Sequence, residues 1–273
     1  MKIAIFSRKA NPGIVALVNK LRTRGVPLAV YGTDFTSWED LPADTELFLS
    51  LGGDGTFLRS LTFVRDRGIP VAGINFGRLG FLTTARADDS DSWLDDLLAG
   101  RFAVEERGLL TIECDELPEG FYPYALNEIS LQRSGARMPA IHVSVDGRDL
   151  PTYWADGLVV ATPTGSTAYA LSVGGPVIFP TSDAMVLAPI APHNLNVRPL
   201  VIPFSSTVEL RFESRDGEAL LAVDNRPVRV SDRVRIVIRR GGYGLRYVEL
   251  SDNNFIQALR DKLLWGEDRR NSQ

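Results

Sequence analysis

Hydrophobic residues in the first hundred positions alternate between short continuous runs and helix-like spacing. The continuous runs predict buried strands at residues 2–6, 27–31, 46–51 and 69–74. The helix-like spacing predicts helices over residues 14–21, 56–67 and 91–99, and Gly25 and Gly68 stand where the first two should stop. Strands that alternate with helices are typical of a mostly parallel sheet with helices on its faces. This part of the chain therefore predicts a Rossmann-like α/β domain.

After about Arg101 the pattern changes to short strand-like runs without helices between them. These runs predict strands at residues 108–114, 125–132, 140–146, 157–162, 207–213, 219–223, 233–240 and 245–250. Turn dipeptides separate several of them, namely Asp146-Gly147, Asp224-Asn225 and Gly241-Gly242. Residues 253–265 predict a final amphipathic helix that packs back on the first domain. We therefore expect an α/β domain at residues 1–102, joined by 253–273, and a β-rich domain at 103–252.

The composition of the 273 residues excludes several classes of protein and of site. Hydrophobic residues make up 44% and charged residues 23%, as in ordinary globular proteins. Thirty basic residues against 34 acidic ones give a net charge of −4, which argues against a nucleic-acid partner. Cys114 is the single cysteine, so an intrachain disulfide and a cysteine metal cage are excluded. Only two histidines exist, His142 and His193, so a carboxylate must do any general-base work.

Apolar stretches are too short for a leader or a membrane span. The stretch at the N-terminus stops after four residues, which is shorter than the core of a signal peptide. The longest stretches, such as residues 184–192, fall far short of the length that crosses a bilayer. We therefore expect a cytoplasmic protein without a membrane partner.

The strongest local signal for chemistry is Gly52-Gly53-Asp54-Gly55-Thr56, between a predicted strand and a predicted helix. Glycines at such a junction let the backbone approach phosphates, to which the helix N-terminus offers N–H groups. A carboxylate beside phosphates is repulsive unless it binds a cation or accepts a proton from an attacking hydroxyl, as in kinases. The loop is not a Walker A sequence, since no Gly-Lys-Ser/Thr follows. Its alternative interpretation is a tight turn with an aspartate cap.

Residues 156–175 predict a strand, a hydroxyl-rich loop and the start of a helix. Five hydroxyls fall within eleven positions, on Thr162, Thr164, Ser166, Thr167 and Ser172. With the ring of Tyr169 they suit ribose hydroxyls and a purine, whereas the alternative is an ordinary turn in which Ser166 or Thr167 caps the helix. Asn127 and Glu128 interrupt the apolar strand YALNEISL, so one of them is expected to face the other domain or a cleft, unless an edge strand exposes both.

Several segments, in the same order along nearly the whole chain, resemble the bacterial NAD kinase family. They are GGDGT at 52–56, GINFGRLGFLT at 73–83, LNE at 126–128, DGLVVATPTGSTAYALSVGGP at 156–176 and RPLVIP at 198–203. Diacylglycerol kinases, sphingosine kinases and phosphofructokinases have loops similar to the first segment. The fourth segment is far more specific to the resemblance.

The resemblance implies a fold, a reaction and partners. The implied fold is an N-terminal α/β domain followed by a β-rich domain that binds NAD. The implied reaction moves a phosphoryl group from ATP or polyphosphate to the 2′-hydroxyl of the adenosine ribose of NAD, which gives NADP. A divalent cation, usually Mg²⁺, and a homodimer or homotetramer are also implied.

The same resemblance implies roles for single residues. Asp54 matches the proton acceptor, Asn127 and Glu128 match the pair that holds the adenosine ribose and base, and Asp156 matches the aspartate near the nicotinamide. Tyr169 matches the aromatic face of the adenine pocket. The full implied set of nucleotide-binding residues is Gly53, Gly55, Thr56, Arg59, Asn75, Phe76, Asn127, Glu128, Asp156, Thr164, Thr167, Ala168, Tyr169, Ala170, Leu171, Ser172 and Arg226.

Two other functions compete with an NAD kinase. A lipid kinase would need a route to the membrane, and the sequence has no basic amphipathic helix and no lipidation motif. A non-catalytic sensor of NAD(P) would have no need of Asp54 as a base in the phosphate loop. Some residues depart from the family pattern and bear on regulation, donor choice and subunit contacts, namely Phe76, Arg78, Trp154 and Asn225-Arg226.

Overall fold

The structure is a computed structural model that describes residues 1–9, 12–30, 37–77, 80–86, 92–250 and 255–263. The chain divides into two compact units. The first combines Met1–Glu106 with Leu245–Gln273, and the second is Arg107–Gly244. The first unit is thus discontinuous in sequence, because the chain returns to it after completing the second.

The first unit is built on parallel strands that alternate with helices. Its elements in chain order are β1 (Ile3–Phe6), α1 (Pro12–Thr23), β2 (Leu28–Val30), β3 (Leu47–Leu51), α2 (Asp54–Val64), β4 (Val71–Asn75), β5 (Ala85–Arg86) and α3 (Ser92–Leu98). The strands pair in parallel in the order β2-β1-β3-β4-β5. The predicted mostly parallel α/β arrangement is confirmed.

Continuous apolar runs form these strands because both faces of a parallel sheet are covered. Ile3, Ile5, Leu47 and Leu49 are at most 1% exposed. They belong to one core cluster with Leu21 of α1 and with residues of α3. Full burial of such a side chain contributes about 1.5–3 kcal/mol, so this cluster fixes the strands whose ends carry the loops.

The strand order places a topological switch point beside β1. The chain moves from β1 outwards to β2 and then returns to the other side of β1 to form β3. Helices after adjacent strands then diverge, which leaves a crevice at the carboxyl ends of β1 and β3. Ligands of open α/β sheets bind in such crevices.

The second unit is built on antiparallel strands. Strand β6 (Ala103–Glu113) leads into it, and the elements that follow are β7 (Tyr124–Ala125), β8 (Glu128–Arg133), β9 (Ala140–Val145), β10 (Arg148–Asp149), β11 (Tyr153–Ala161), α4 (Tyr169–Ser172), β12 (Ala184–Pro192), β13 (Leu200–Pro203), β14 (Val208–Glu213), β15 (Glu218–Val223), β16 (Arg226–Ser231) and β17 (Arg235–Glu249). The predicted β-rich character of this part of the chain is confirmed.

Two runs of antiparallel strands make up the second unit. One has the order β16-β15-β8-β11-β12-β13 and the other has the order β10-β9-β14-β17. The first residues of β11 also pair with β9, so this strand belongs to both runs. Buried side chains of both runs share one apolar core, with Leu131 and Leu158 from the first and Ile141 and Leu210 from the second.

Turn signals are right at two hairpins, of which one is the Asp224-Asn225 turn between β15 and β16, and wrong at a third place. Asp146 and Gly147 form the two-residue turn between β9 and β10 with φ of 51° and 75°, as a hairpin of right-handed twist requires. Gly241-Gly242, by contrast, do not turn, since β17 continues through them from Arg235 to Glu249. A Cβ on Gly241 would lie 3.0 Å from the ring of Tyr124, so a larger residue there would require this ring to shift.

Strands β12, β13 and β16 are not predicted from the sequence pattern. Each contains a proline, namely Pro189 and Pro192 in β12, Pro203 in β13 and Pro227 in β16. A proline within a run lowers its strand prediction, because it has no N–H for the ladder. The neighbouring strands nevertheless pair with these segments and keep them extended.

The final helix α5 (Phe255–Leu263) belongs to the first unit and buries Ala258 and Leu259. The prediction that it packs back on the α/β part is confirmed. Among the residues that the structure describes, no helix has the length and the apolar character needed to cross a bilayer.

Candidate active site

The glycine-rich loop joins β3 to α2 at the carboxyl end of the parallel sheet. Helix α2 begins at Asp54, two residues before the start that the apolar pattern predicts. The carbonyl of Gly53, the N-cap residue, accepts the N–H groups of Thr56 at 2.8 Å and Phe57 at 3.1 Å. The positive end of the helix dipole is therefore directed at the space beyond the strands, which favours an anion.

A cavity of about 630 Å³, the loop cavity, opens beside this loop. Residues 7–9 after β1, the glycine-rich loop and residues 75–77 after β4 form most of its wall, at the switch point of the sheet. Arg8 and Lys9, which the sequence patterns do not single out, add two basic side chains. Five predicted site residues line it, namely Gly53, Gly55, Thr56, Asn75 and Phe76. Helix N-terminus, glycines and basic side chains together suit a chain of phosphates.

Asn75 is a buried wall residue, 6% exposed, whose Oδ1 accepts the N–H of Gly77 at 2.8 Å. Arg59 is different, since it is exposed and its guanidinium lies 5.8 Å from the ring centroid of Phe63. The structure thus brings Asn75 to the loop cavity and does not place Arg59 in its wall.

Backbone groups hold the carboxylate of Asp54 in one orientation. Its Oδ2 accepts the N–H of Phe81 at 2.9 Å and its Oδ1 accepts the N–H of Leu82 at 3.1 Å. A Cβ on Gly80 would overlap this carboxylate, so the close approach requires glycine there. The Nζ of Lys262 lies 3.8 Å from Oδ2. Each carboxylate oxygen can accept a further hydrogen bond, and the side chain is 33% exposed, so Asp54 can accept a hydroxyl.

In the second unit, the buried side chain of Asp224 organises the segment that contains Asn127 and Glu128. Its Oδ1 accepts the N–H of Asn127 at 2.8 Å and of Glu128 at 3.2 Å, and its Oδ2 accepts the N–H of Leu126 at 3.1 Å. The sequence signals only a turn at Asp224, where φ is 49°. One carboxylate in the turn between β15 and β16 therefore shapes the start of β8.

Glu128 is a buried carboxyl group, 9% exposed, with capacity left for a ligand. The main-chain N–H of Tyr169 donates to it, while its Oε2 has no hydrogen-bond partner among the described residues. Burial raises the pKa of Glu128 to about 8, and the negative charge of Asp224 adds to the increase. A buried acceptor without a partner costs free energy that a ligand donor recovers.

The hydroxyl-rich loop is built directly on the backbone of this segment. The N–H of Thr162 donates to the carbonyl of Asn127 at 2.9 Å, and its Oγ1 donates to the carbonyl of Leu126. The same Oγ1 accepts the N–H of Gly165 at 3.0 Å. A Cβ on Gly165 would overlap the carbonyl of Asn127, so the two backbones are in direct contact.

The predicted capping role of Ser166 and Thr167 is wrong. Ala168 is the N-cap of α4 and makes no side-chain hydrogen bond there. The buried Ser166 instead accepts the N–H of Ile178 at 2.9 Å, and Thr167 donates to the carbonyl of Thr164 at 3.2 Å. A 3₁₀ turn at Thr164–Thr167 takes up these hydroxyls before the helix begins.

Tyr169 joins α4 to β8 through its backbone and its ring. Besides the contact with Glu128, its hydroxyl lies 3.4 Å from Oε1 of Gln132. Burial raises the pKa of Tyr169, and the negative charges of Glu128 and Asp156 add to the effect. The side chain of Tyr169 is thus a neutral aromatic ring with polar side chains beside it.

The predicted segment that follows Tyr169 is divided between core and surface. Ala170 is fully buried in a cluster with residues of β11 and β12, so its side chain is part of the core. Leu171 is half-buried, and Ser172 is exposed. Only part of the segment therefore offers side chains to a ligand.

Two arginines hold acidic or carbonyl groups near these residues. Arg133, which the sequence patterns do not single out, pairs with Asp156 through Nε and Oδ1 at 2.7 Å. Arg226 donates from Nε to the carbonyl of Val223 at 3.1 Å, and its guanidinium lies 5.1 Å from the ring centroid of Tyr122.

Among the departures from the family pattern, Trp154 is 47% exposed, and Arg78 lies outside the described residues.

Protein side chains alone do not build a metal cage in the part of the chain that the structure describes. No group of three histidine, cysteine, aspartate or glutamate side chains comes together there. A magnesium ion that arrives on nucleotide phosphates needs only one or two protein carboxylates. Phosphate oxygens and water can therefore supply most of its ligands at this site.

Family models match both parts of the chain. The model described as the ATP-NAD kinase N-terminal domain matches residues 36–102, and the model described as the ATP-NAD kinase C-terminal domain matches residues 126–250. Among curated proteins, the NAD kinase of Christiangramia forsetii is 43% identical over 242 residues, 87% of this chain and 82% of that protein. The NAD kinase of Cytophaga hutchinsonii is 40% identical over 257 residues, with shares of 94% and 88%.

Solved structures agree with these matches. Yeast NADH kinase complexed with NADH has a TM-score of 0.87 at 25% identity and covers 100% of this chain and 90% of its own. An NAD kinase from Archaeoglobus fulgidus in complex with ATP has a TM-score of 0.81 at 29% identity, with shares of 97% and 99%.

Glu128→Gln is expected to reduce the pH dependence of stability in the ligand-free protein. A carboxyl group with a raised pKa binds its proton more tightly when folded, so folding weakens as pH rises from about 4.5 to about 8. The neutral amide removes this loss. Thermal unfolding at pH 5 to 8 should show a smaller fall in Tm for Glu128→Gln than for wild type, while Glu119→Gln, at an exposed site, follows wild type. Parallel curves would contradict the prediction.

Proposed function

The chain belongs to the NAD kinase family, and on that basis we propose that it transfers a phosphoryl group from ATP to the 2′-hydroxyl of the adenosine ribose of NAD. The observation that carries the proposal is the oriented carboxylate of Asp54, which lies between two glycines of the loop cavity. A base at this position has a use when a hydroxyl attacks a phosphate. A non-catalytic sensor has no use for such a base. A lipid kinase would use one too, but the family models that match this chain are those of NAD kinase domains.

The loop cavity is the proposed site of the donor phosphates. Its glycines admit the phosphate chain, the N-terminus of α2 offers N–H groups, and Arg8 and Lys9 offset the negative charge. Thr56 and Asn75 add polar groups to the wall. The complex of the Archaeoglobus relative with ATP agrees with a nucleotide donor. Polyphosphate, whose linkages are the same, is the alternative donor.

Asp54 is the proposed general base. An alcohol is a poor nucleophile at neutral pH, so a carboxylate that accepts its proton as it attacks accelerates transfer by roughly 10²–10⁴. The N–H groups of Phe81 and Leu82 fix the direction of the carboxylate. The reaction then requires the 2′-hydroxyl within hydrogen-bond distance of Asp54 and the terminal phosphorus on its far side, in line with the leaving oxygen.

The second unit is the proposed NAD-binding unit. Oε2 of Glu128 is an acceptor for a hydroxyl or amino group of the adenosine, and Asn127 lies beside it. The ring of Tyr169 is proposed to stack on the adenine, and Asp156 to lie toward the nicotinamide. The shape of this surface depends on Asp224, which fixes the backbone of the pair.

A divalent cation, Mg²⁺ in our proposal, fits the loop cavity as a companion of the donor. The donor phosphates and water would supply its ligands, because the described residues offer no closed cage and Asp54 serves as the base. When bound, it neutralises charge on the phosphates. Assembly into a homodimer or homotetramer and a cytoplasmic location stay predictions.

The proposed reaction predicts that NADP forms only when NAD, ATP and a divalent cation are all present. Purified protein is incubated with NAD, ATP and Mg²⁺, and NADP is measured with an NADP-specific dehydrogenase. Excess EDTA should abolish the product, and Mg²⁺ or Mn²⁺ in excess of the chelator should restore it. Full activity in metal-free buffer would contradict the requirement for a divalent cation. The absence of NADP under every condition would contradict the proposed NAD kinase reaction.

Asp54→Asn is expected to lower kcat by about 10²-fold or more while the NAD dissociation constant stays within a few-fold of wild type. Asparagine has a similar size but cannot take the proton. Single-turnover NADP formation and calorimetric NAD affinity are measured on one preparation, with the exposed Asp66→Asn as control. Turnover near the wild-type rate would show that Asp54 is only a turn residue.

Tyr169→Ala is expected to raise the KM for NAD by about tenfold or more. Stacking of a base on an aromatic side chain contributes roughly 1–3 kcal/mol, and about 1.4 kcal/mol corresponds to a factor of ten. Tyr169→Phe keeps the ring and loses only the hydroxyl near Gln132, so its KM should stay close to wild type. Equal KM values for all three proteins would place the ring outside the NAD site.

A further inference from the structure

A lysine from the last helix stands beside the proposed base. Lys262 follows the buried Ala258 and Leu259 by four and three residues, so it lies on the inward face of α5. Its ammonium is 3.8 Å from Oδ2 of Asp54 and 4.6 Å from the ring centroid of Phe81. Phe81 is also the residue whose N–H donates to Asp54. Phe81 therefore orients the carboxylate of Asp54 through its N–H and contacts the ammonium of Lys262 through its ring.

The ammonium of Lys262 and the carboxylate of Asp54 form a long ion pair. At 3.8 Å the ammonium is attracted to Asp54 without donating a hydrogen bond to it. The side chain of Lys262 is 26% exposed, so a ligand can reach it. Isolated ion pairs of this exposure contribute little to stability, and stability therefore does not explain why a lysine occupies this position.

We propose that Lys262 is a catalytic residue that binds the phosphoryl group during its transfer; this rests on the proposed function. A hydroxyl that gives its proton to Asp54 lies within hydrogen-bond distance of the carboxylate. The phosphorus it attacks lies about 3–3.5 Å farther on. The non-bridging oxygens of that phosphoryl group come within reach of Nζ, which lies 3.8 Å from Oδ2 of Asp54.

The step balances as follows. The 2′-oxygen forms a bond to the terminal phosphorus and its proton passes to Asp54, while the bond to the bridging oxygen breaks and ADP leaves with that electron pair. Lys262 keeps its proton throughout and donates hydrogen bonds to the non-bridging oxygens. Its positive charge also offsets the repulsion between the phosphates and the carboxylate of Asp54. A fixed donor of this kind contributes more in the transition state than in the ground state.

The test compares Lys262→Gln and Lys262→Met with Lys262→Arg, each in the full chain. Loss of one such donor typically lowers kcat by 10²–10³-fold, so we expect the two neutral variants to lose about 10²-fold or more in single-turnover NADP formation. The NAD dissociation constant should stay within a few-fold of wild type. Arginine keeps the charge and should recover at least tenfold over glutamine. Arg260→Met removes an exposed charge from the same helix and should match wild type.

Wild-type NADP formation is measured first, so a failure of the proposed function is seen separately. Thermal unfolding and NAD affinity show whether each variant is folded. If a folded neutral variant transfers phosphate at nearly the wild-type rate, the proposal is overturned. It is also overturned if arginine recovers no more than glutamine, or if Arg260→Met loses as much as Lys262→Gln, because either result assigns the loss to the structure of α5.

Discussion

The candidate site residues of the second unit depend on the hydrogen bonds that the buried carboxylate of Asp224 accepts. It binds three consecutive backbone N–H groups, of Leu126, Asn127 and Glu128. Carbonyls of the same segment receive the donors of Thr162, on which the hydroxyl-rich loop is built. Burial raises the pKa of Asp224, whereas these N–H groups and Arg226 oppose the increase. A neutral side chain there would leave three buried N–H groups without a charged acceptor, which is why a carboxylate is required.

Asp54 and Asp224 show the same backbone chemistry used for two purposes. Both accept consecutive main-chain N–H groups, two in one case and three in the other. The side chain of Asp224 is 3% exposed and uses its oxygens to shape the protein. Asp54 is 33% exposed, at the beginning of a helix, and keeps acceptor capacity toward solvent. Exposure and unused acceptor capacity, rather than residue type, therefore separate these two carboxylates.

Local patterns in the sequence account for much of the fold and for part of the site. The apolar runs of β1 and β3 predict the parallel sheet, and glycines next to Asp54 predict a loop that admits phosphates. Contacts between distant residues leave no such pattern. Lys262 and Asp54, which lie side by side in the structure, are 208 positions apart in the sequence (262 minus 54). At Asp224 the sequence indicates only a turn, although its carboxylate accepts hydrogen bonds from the start of β8. Strand β12 is missed for a similar reason. Its prolines lower the strand prediction, and pairing with neighbouring strands, which the local sequence does not show, keeps it extended.

The discontinuity of the first unit has a consequence for biosynthesis. A ribosome exposes β1 to β5 first, then the whole second unit, and only afterwards the residues of α5 that return to the first. Domains generally fold as units during synthesis, so the first unit is completed only when α5 joins β1 to β5. Lys262, however, reaches Asp54 only after the second unit has been synthesised. A nascent chain would therefore contain the glycine-rich loop before the ammonium of Lys262 lies beside Asp54, the proposed base. The order of synthesis would thus delay the proposed activity until both units exist.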